Sequence, residues 1–223
     1  MYRVKKIISA VTISILLSLF AVSVSFAATA EEFFMKAQKL DNIHAFAATC
    51  QSAHETGFWT SALWRNAMNG AGIKADNNWR NSGRMAVLHR SPESVNGRLV
   101  YRESWFRAYQ SLDEFMADYR IKITRDYPLA AQHSDNLWGY FSSLKRGRLG
   151  SWATSQRYFE HLAGLAFRLA PGLLGSEWRI ELLRDYREAM ARGLLDANEI
   201  IIIERKLIAA GVSPLPPIER DDI

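Results

Sequence analysis

Glu55 is the side chain whose surroundings most favour chemistry. It lies in Ser52-Ala53-His54-Glu55-Thr56-Gly57-Phe58, at the end of a stretch, Asn42 to Thr56, that reads as a helix stopped by Gly57. A helix C-terminus carries partial negative charge from its unpaired carbonyls, which disfavours a carboxylate there. Ala53, Phe58 and Trp59 add desolvation, and both effects hold the proton on at neutral pH. A glutamate kept protonated in this way is equipped to be a general acid. The alternative is an exposed glutamate on a frayed helix end.

Other chemistries are excluded by spacing. His54-Glu55 opens like a zinc-protease motif, but the position of the second histidine is Phe58. Histidines 44, 54, 89, 133 and 161 show no close metal-ligand spacing, so no metal is expected. Gly70-Ala71-Gly72 is too short for a nucleotide loop and follows no strand, and no cofactor is expected. Cys50 is the only cysteine, cannot form an internal disulfide, and sits among Ala47, Ala48 and Ala53 as a buried, inert thiol.

The elements around Glu55 are mostly helical. Glu31 to Leu40, Asn42 to Thr56 and Ser61 to Met68 read as helices, and 69–83, rich in Gly and Asn, as a loop. Met85 to His89 and Arg98 to Glu103 are β-prone runs joined by a segment ending in the hairpin signal Asn96-Gly97. Ser111-Leu-Asp-Glu114 is a capping box opening the next helix. Pro128 suits the first turn of another, and Ser151 to Leu169 supplies one more. A cleft between a helical lobe and a hairpin lobe suits a long polymer, with one carboxylate from each wall.

Beyond Pro171-Gly172 and Gly175, Ser176 to Arg192 is amphipathic, and Asp196-Ala-Asn-Glu199 caps a further helix running to Ala210. This helical hairpin bears a faint likeness to C-terminal hairpins of bacterial envelope proteins. It is expected to dock on the main domain or form a self-association surface; a protein partner from the envelope or secretion machinery is the alternative. The oligomeric state is left open.

At the other end, Arg3, Lys5 and Lys6 precede an uncharged stretch from Ile7 to Ala30. Small residues at Ser25-Phe26-Ala27 and Ala28-Thr29-Ala30 suit signal cleavage. The stretch is also long enough for retention as an N-terminal anchor. Export to the periplasm or cell surface is expected on either reading. The domain division is therefore 1–30 as signal or anchor, 31–170 as the catalytic unit, and 171–223 as hairpin and tail.

Removing the signal takes away three basic residues. Of 28 Lys+Arg against 23 Asp+Glu, the remainder leaves a net charge near +2, too small to argue for nucleic acid. The cations are uneven: arginines 80, 84, 90, 98, 102 and 107 face only Glu93 and Glu103 between positions 80 and 107. This excess either attracts an anionic substrate or is the solvated surface of a hairpin.

Five blocks in order resemble a known family. Ala53-His54-Glu55-Thr56-Gly57-Phe58-Trp59-Thr60-Ser61 is similar to Leu-Glu-Ser/Thr-Gly-Trp-Gly-x-Ser. Asn69-Gly70-Ala71-Gly72-Ile73-Lys74-Ala75, with Trp79 following, is similar to Asn-x-Phe-Gly-Ile-Lys-Ala. Ser91-Pro92-Glu93-Ser94-Val95-Asn96-Gly97 resembles Thr-x-Glu-Tyr-x-Asn-Gly. Trp105-Phe106-Arg107-Ala108-Tyr109-Gln110-Ser111, with Asp118-Tyr119, resembles Phe-Arg-x-Tyr-x-Ser…Asp-Tyr. Trp152-Ala153-Thr154-Ser155-Gln156-Arg157-Tyr158 resembles Tyr-Ala-Thr-Asp-Pro-x-Tyr. The family is that of peptidoglycan β-N-acetylglucosaminidases, glycoside hydrolase family 73, which includes the enzymatic domain of flagellar rod-cap proteins.

The resemblance implies an α+β, mostly helical fold: a lysozyme-like α lobe with a small β-hairpin lobe. It implies an exported hydrolase that cleaves the glycan strand of peptidoglycan after N-acetylglucosamine. Glu55 would be the general acid, Glu93 the second carboxylate with Glu103 as runner-up, and Tyr158 a hydrogen-bonding partner near the reacting sugar, or else a core aromatic. Trp79, Phe106 and Tyr109 would stack on sugars or fill the core, and Asn69 would brace the loop under Glu55. The route stays open among inversion, retention and attack by the substrate's own acetamido oxygen. Trp59 departs from the family's Gly, Ala71 from its Phe, and Ser155-Gln156 from its Asp-Pro. A lytic transglycosylase using Glu55 alone and a non-catalytic wall-binding or assembly module are the competing readings.

Overall fold

The computed structural model describes residues 29–95 and 98–214, with the side chains of 92–99 left undescribed. The expected signal or anchor segment therefore lies outside the described residues up to position 28, as do Asn96, Gly97 and the tail beyond Pro214. Among the described residues, no helix is long and apolar enough to cross a membrane.

Helix α1 covers 29–37, α2 is Ala45–Thr56, α3 Ala62–Ala67 and α4 Asn77–Asn81. Strands β1, Ala86–Val95, and β2, Arg98–Arg107, follow, then α5, Leu112–Asp126, and α6, Pro128–Gln132. The chain closes with α7, Leu137–Ser143, α8, Tyr158–Leu173, α9, Trp178–Ala191, and α10, Ala197–Ala209. The fold is mostly helical with a two-stranded antiparallel sheet, as the sequence led us to expect.

The strands are longer than their β-prone runs. Pairing extends from Ala86 opposite Arg107 to Val95 opposite Arg98, so Ser91 to Val95, read as linker, is strand. A ladder propagates through polar residues when each backbone group finds its partner, whatever the side-chain propensity. The hairpin root is stitched to the loop after α3. Arg107 N–H donates to the Ile73 carbonyl at 2.9 Å and Ala75 N–H to the Trp105 carbonyl at 2.8 Å.

Helix α7 was not expected, and its burial explains why. Every residue from Leu137 to Ser143 is buried, so the apolar/polar alternation that marks a surface helix is absent. Asn136 caps it by accepting from Gly139 N–H at 2.9 Å. Helix α8 begins at Tyr158, later than expected, and runs past Pro171 to Leu173. A proline there removes only a terminal-turn hydrogen bond. The capping box at α5 closes differently from expectation. Ser111 Oγ accepts from Glu114 N–H at 3.1 Å, but the Glu114 carboxylate reaches Gln110 N–H at 2.8 Å.

The C-terminal hairpin, α9 and α10, shares the core with the helical lobe. Leu182, Tyr186, Ala189, Ile203 and Leu207 join the same buried cluster as Trp138, Phe141 and Leu162. Polar links fix the register: Trp138 Nε1 donates to the Leu182 carbonyl at 3.0 Å, and Ser142 Oγ to Glu199 Oε2 at 3.0 Å. Glu199, also in the capping box of α10, is met by Lys145 at 2.7 Å. A Cβ on Gly139 would stand 2.6 Å from Leu194 Cδ1, so any larger residue there would displace the Leu194 side chain. Docking on the main domain is therefore what the hairpin does.

Candidate active site

Glu55 occupies the last turn of α2. Gly57, in the left-handed conformation at φ 57°, caps the helix by donating its N–H to the Ala53 and His54 carbonyls. Phe58 and Trp59 continue in the same conformation, at φ 58° and 59°, which costs a residue with a side chain about 1 kcal/mol. This is the position where Trp59 departs from the family's glycine. The turn is held by Trp59 N–H on Thr56 Oγ1 at 2.8 Å and by Trp59 Nε1 on Ser52 Oγ at 3.0 Å. Burial of the indole offsets the backbone strain.

The Glu55 carboxylate is asymmetric. Tyr158, the first residue of α8, donates its hydroxyl to Oε1 at 2.7 Å, and Trp152 Nε1 donates to the same oxygen at 3.2 Å. Oε2 faces the loop after α3, where a Cβ on Gly72 would lie 3.7 Å from it. Gly72 has φ 60°, a conformation that favours glycine. Burial pushes the Glu55 carboxyl up to about 7; the Tyr158 and Trp152 hydrogen bonds act against that rise. The group thus holds its proton near neutrality.

Behind Tyr158 runs a buried polar chain. Its hydroxyl accepts from Gln51 Nε2 at 3.1 Å, Gln51 Oε1 accepts from the Tyr119 hydroxyl at 2.6 Å, and Tyr119 meets the Tyr140 hydroxyl at 3.0 Å. Trp152 rests against Tyr127 and Tyr119, with ring centroids 5.0 and 6.3 Å away. Apart from Tyr158, sequence reading assigned no role to these side chains. Gln51 is one turn before Glu55 on the same helix, and that spacing was the available signal.

The loop opposite is organised by Asn69, which is buried. Its Nδ2 donates to the carbonyls of Ile73, at 2.9 Å, and Arg107, at 2.8 Å, while Oδ1 accepts from Ile73 N–H at 2.9 Å. Asn69 therefore ties the Gly72 loop to the hairpin root.

Trp79, Phe106 and Tyr109 are each about 95% buried, and they fill the core. Trp79 donates Nε1 to the Met85 carbonyl at 2.9 Å, and the guanidinium groups of Arg84 and Arg107 stand over its ring, 4.6 and 4.3 Å from the centroid. Tyr109 donates its hydroxyl to Asp118 at 2.7 Å, and Asp118 also pairs with Arg107 at 2.8 Å. Rings already enclosed by protein cannot present a face to a sugar. Exposed aromatic surface lies instead on Trp105 and Tyr101, at 39% and 57% exposure. Arg80 stands over Trp105 and Arg90 over Tyr101, so part of the arginine excess is spent on aromatic stacking. Glu103 is exposed on β2 opposite Arg90. Glu93 has its backbone in β1 opposite Val100; its side chain lies outside the described residues. Cys50 is fully buried, and burial pushes its thiol far above the ordinary range.

Residues 31–169 match the glucosaminidase family, described as mannosyl-glycoprotein endo-β-N-acetylglucosaminidase. The chain belongs to the glucosaminidase family. This glucosaminidase is accordingly a glycoside hydrolase, and α9 and α10 lie outside the matched span. No curated protein matches the chain significantly. Among solved structures, a mutant peptidoglycan hydrolase from Sphingomonas sp. A1 is similar with a TM-score of 0.52 and 25% identity, over 72% of this chain and 98% of that one. A C-terminally truncated glycoside hydrolase domain of Salmonella typhimurium FlgJ gives a TM-score of 0.50 and 22% identity, over 65% and 95% of the two chains. An N-acetylmuramoyl-L-alanine amidase from Staphylococcus aureus gives 0.53 and 21%, over 67% of this chain and 42% of that one. The last two likenesses bear on the fold alone.

Proposed function

We propose that this glucosaminidase is exported and cuts the glycan strand of peptidoglycan after N-acetylglucosamine, with Glu55 as general acid. The observation carrying this reading is the Glu55 carboxyl held near pH 7, one oxygen engaged by Tyr158 and Trp152 and the other turned toward Gly72. Export rests on the leading segment Arg3 to Ala30.

In this reading the glycosidic oxygen approaches Glu55 Oε2 from the Gly72 side. As the bond from the anomeric carbon to that oxygen breaks, the Oε2 proton moves onto the leaving oxygen. The carboxylate left behind is stabilised by hydrogen bonds already in place from Tyr158 and Trp152, which strengthen as charge develops. Positive charge grows on the anomeric carbon, and Glu93 on the hairpin, with Glu103 as runner-up, serves as the second carboxylate: it either takes a proton from the water whose oxygen bonds to that carbon, or bonds to the carbon itself until water displaces it. Attack by the substrate's own acetamido oxygen is the route that dispenses with that group. Trp105 and Tyr101 have the exposure that sugar stacking requires, while Asn69, Trp79, Phe106 and Tyr109 support the loop and hairpin from within.

Mass spectrometry of purified sacculi digested by the protein tests the reading. Products with reducing N-acetylglucosamine ends are expected; anhydro-muramyl ends would assign a lytic transglycosylase instead. Glu55→Gln should lose turbidity clearing by at least about a hundredfold while keeping its fold, the scale of a lost general acid.

A further inference from the structure

We infer that Gln51 is a positioning residue that fixes which oxygen of Glu55 carries the reactive proton. This rests on the general-acid role of Glu55. Gln51 is completely buried and offers one amide donor and one amide acceptor to two different tyrosines. Its Nε2 donates to Tyr158, so the Tyr158 hydroxyl proton is left to point at Glu55 Oε1. Its Oε1 accepts from Tyr119, whose own proton is thereby used, so Tyr140 is the donor in the Tyr119–Tyr140 contact. Each hydrogen bond in the row Tyr140, Tyr119, Gln51, Tyr158 is donated in the direction of Glu55.

Two consequences follow for the acid. With Tyr158 and Trp152 both donating to Oε1, the carboxyl proton resides on Oε2, beside Gly72. A hydroxyl that accepts a hydrogen bond is also a better donor, so the row strengthens the Tyr158 bond to the Glu55 anion and lowers the pKa that burial has raised. Glutamine suits this post because it is neutral and two-sided. A carboxylate there would place a second negative charge behind Glu55, and an apolar side chain would take the donor from the Tyr158 oxygen and the acceptor from the Tyr119 proton.

The experiment is the pH dependence of kcat/KM on a soluble glycan for wild type, Gln51→Met, Tyr119→Phe and the double variant. Gln51→Met should lower kcat with KM little changed and move the basic limb upward by about a few tenths of a pH unit, the fraction of the charge-assisted Tyr158 bond that its polarising donor supplies. Tyr119→Phe removes a single hydroxyl and should shift the limb in the same direction by less. In the Gln51→Met background it should shift nothing further, because the row is already cut. Limbs that coincide with wild type in both single variants, or that move downward, would overturn the assignment, as would fully additive shifts. Tyr119→Phe carries the test should Gln51→Met not fold. Failure of the general-acid reading is seen separately, as retained clearing by Glu55→Gln.

Discussion

At the level of the single residue, the proposed role of Glu55 ties activity and stability to pH in the same direction, both falling as the pH rises. A carboxyl raised from an ordinary 4.5 to about 7 keeps a proton in the folded state that the unfolded chain has released. The unfolded state then binds fewer protons between these values, so stability falls as pH rises from 4.5 through 7. The full penalty is at most about 3 kcal/mol, less whatever solvent screening the partly exposed group receives. Glu55→Gln should therefore melt above wild type at pH 8, and the advantage should vanish near pH 4, as read by thermal unfolding at both values. Activity of the wild type should decline as pH rises through 7, when the acid gives up its proton.

Glu55 and Tyr158 were legible in the sequence because their blocks resemble a family motif. Gln51, Tyr119 and Tyr140 were not. Their partners lie 107, 68 and 21 positions away, and nothing local announces that a glutamine will face two tyrosines. Trp79, Phe106 and Tyr109 show the converse. An aromatic suits a sugar platform and a core equally well, and only burial separates the two.

At the level of elements, the site is a junction between a helix end and a hairpin root, and Asn69 is the fastener. It supplies three strong hydrogen bonds to loop and strand backbone. Asn69→Ala would leave the Arg107 carbonyl and the Ile73 N–H without their Asn69 partner, and the Ile73 carbonyl with the Arg107 N–H alone, at about 1–3 kcal/mol for each unpaired group that water cannot reach. We expect the variant to melt lower and to lose kcat disproportionately, because Gly72 and the hairpin would no longer be held against Glu55. Asn69→Asp should not rescue it, since a carboxylate cannot donate to the Ile73 and Arg107 carbonyls. Thermal unfolding with steady-state kinetics measures both. The helix–hairpin–helix order was readable from periodicity and turn signals, while α7 was not, because a helix buried on all sides carries no stripe.

At the level of the whole molecule, α9 and α10 lie outside the family match yet complete its interior. Leu182 and Leu207 are buried against the helical lobe, and Asp185 accepts from Leu137 N–H at 3.1 Å. A chain ended at Ala170 would uncover Trp138 and strip α7 of these partners. It should lose its cooperative thermal transition and bind a hydrophobic dye, even though it retains the entire matched span; a sharp transition near the full-length temperature would show the hairpin to be dispensable.

The fit of Leu194 over Gly139 has a consequence for timing. Tyr140 closes the far end of the row behind Glu55, and it sits on the helix that the last two helices cover. During synthesis, a growing chain reaches Tyr158 well before it can shield that helix. The acid is thus assembled from early segments but braced by late ones, so a partly made polypeptide should be a poor cutter until its final turns have docked.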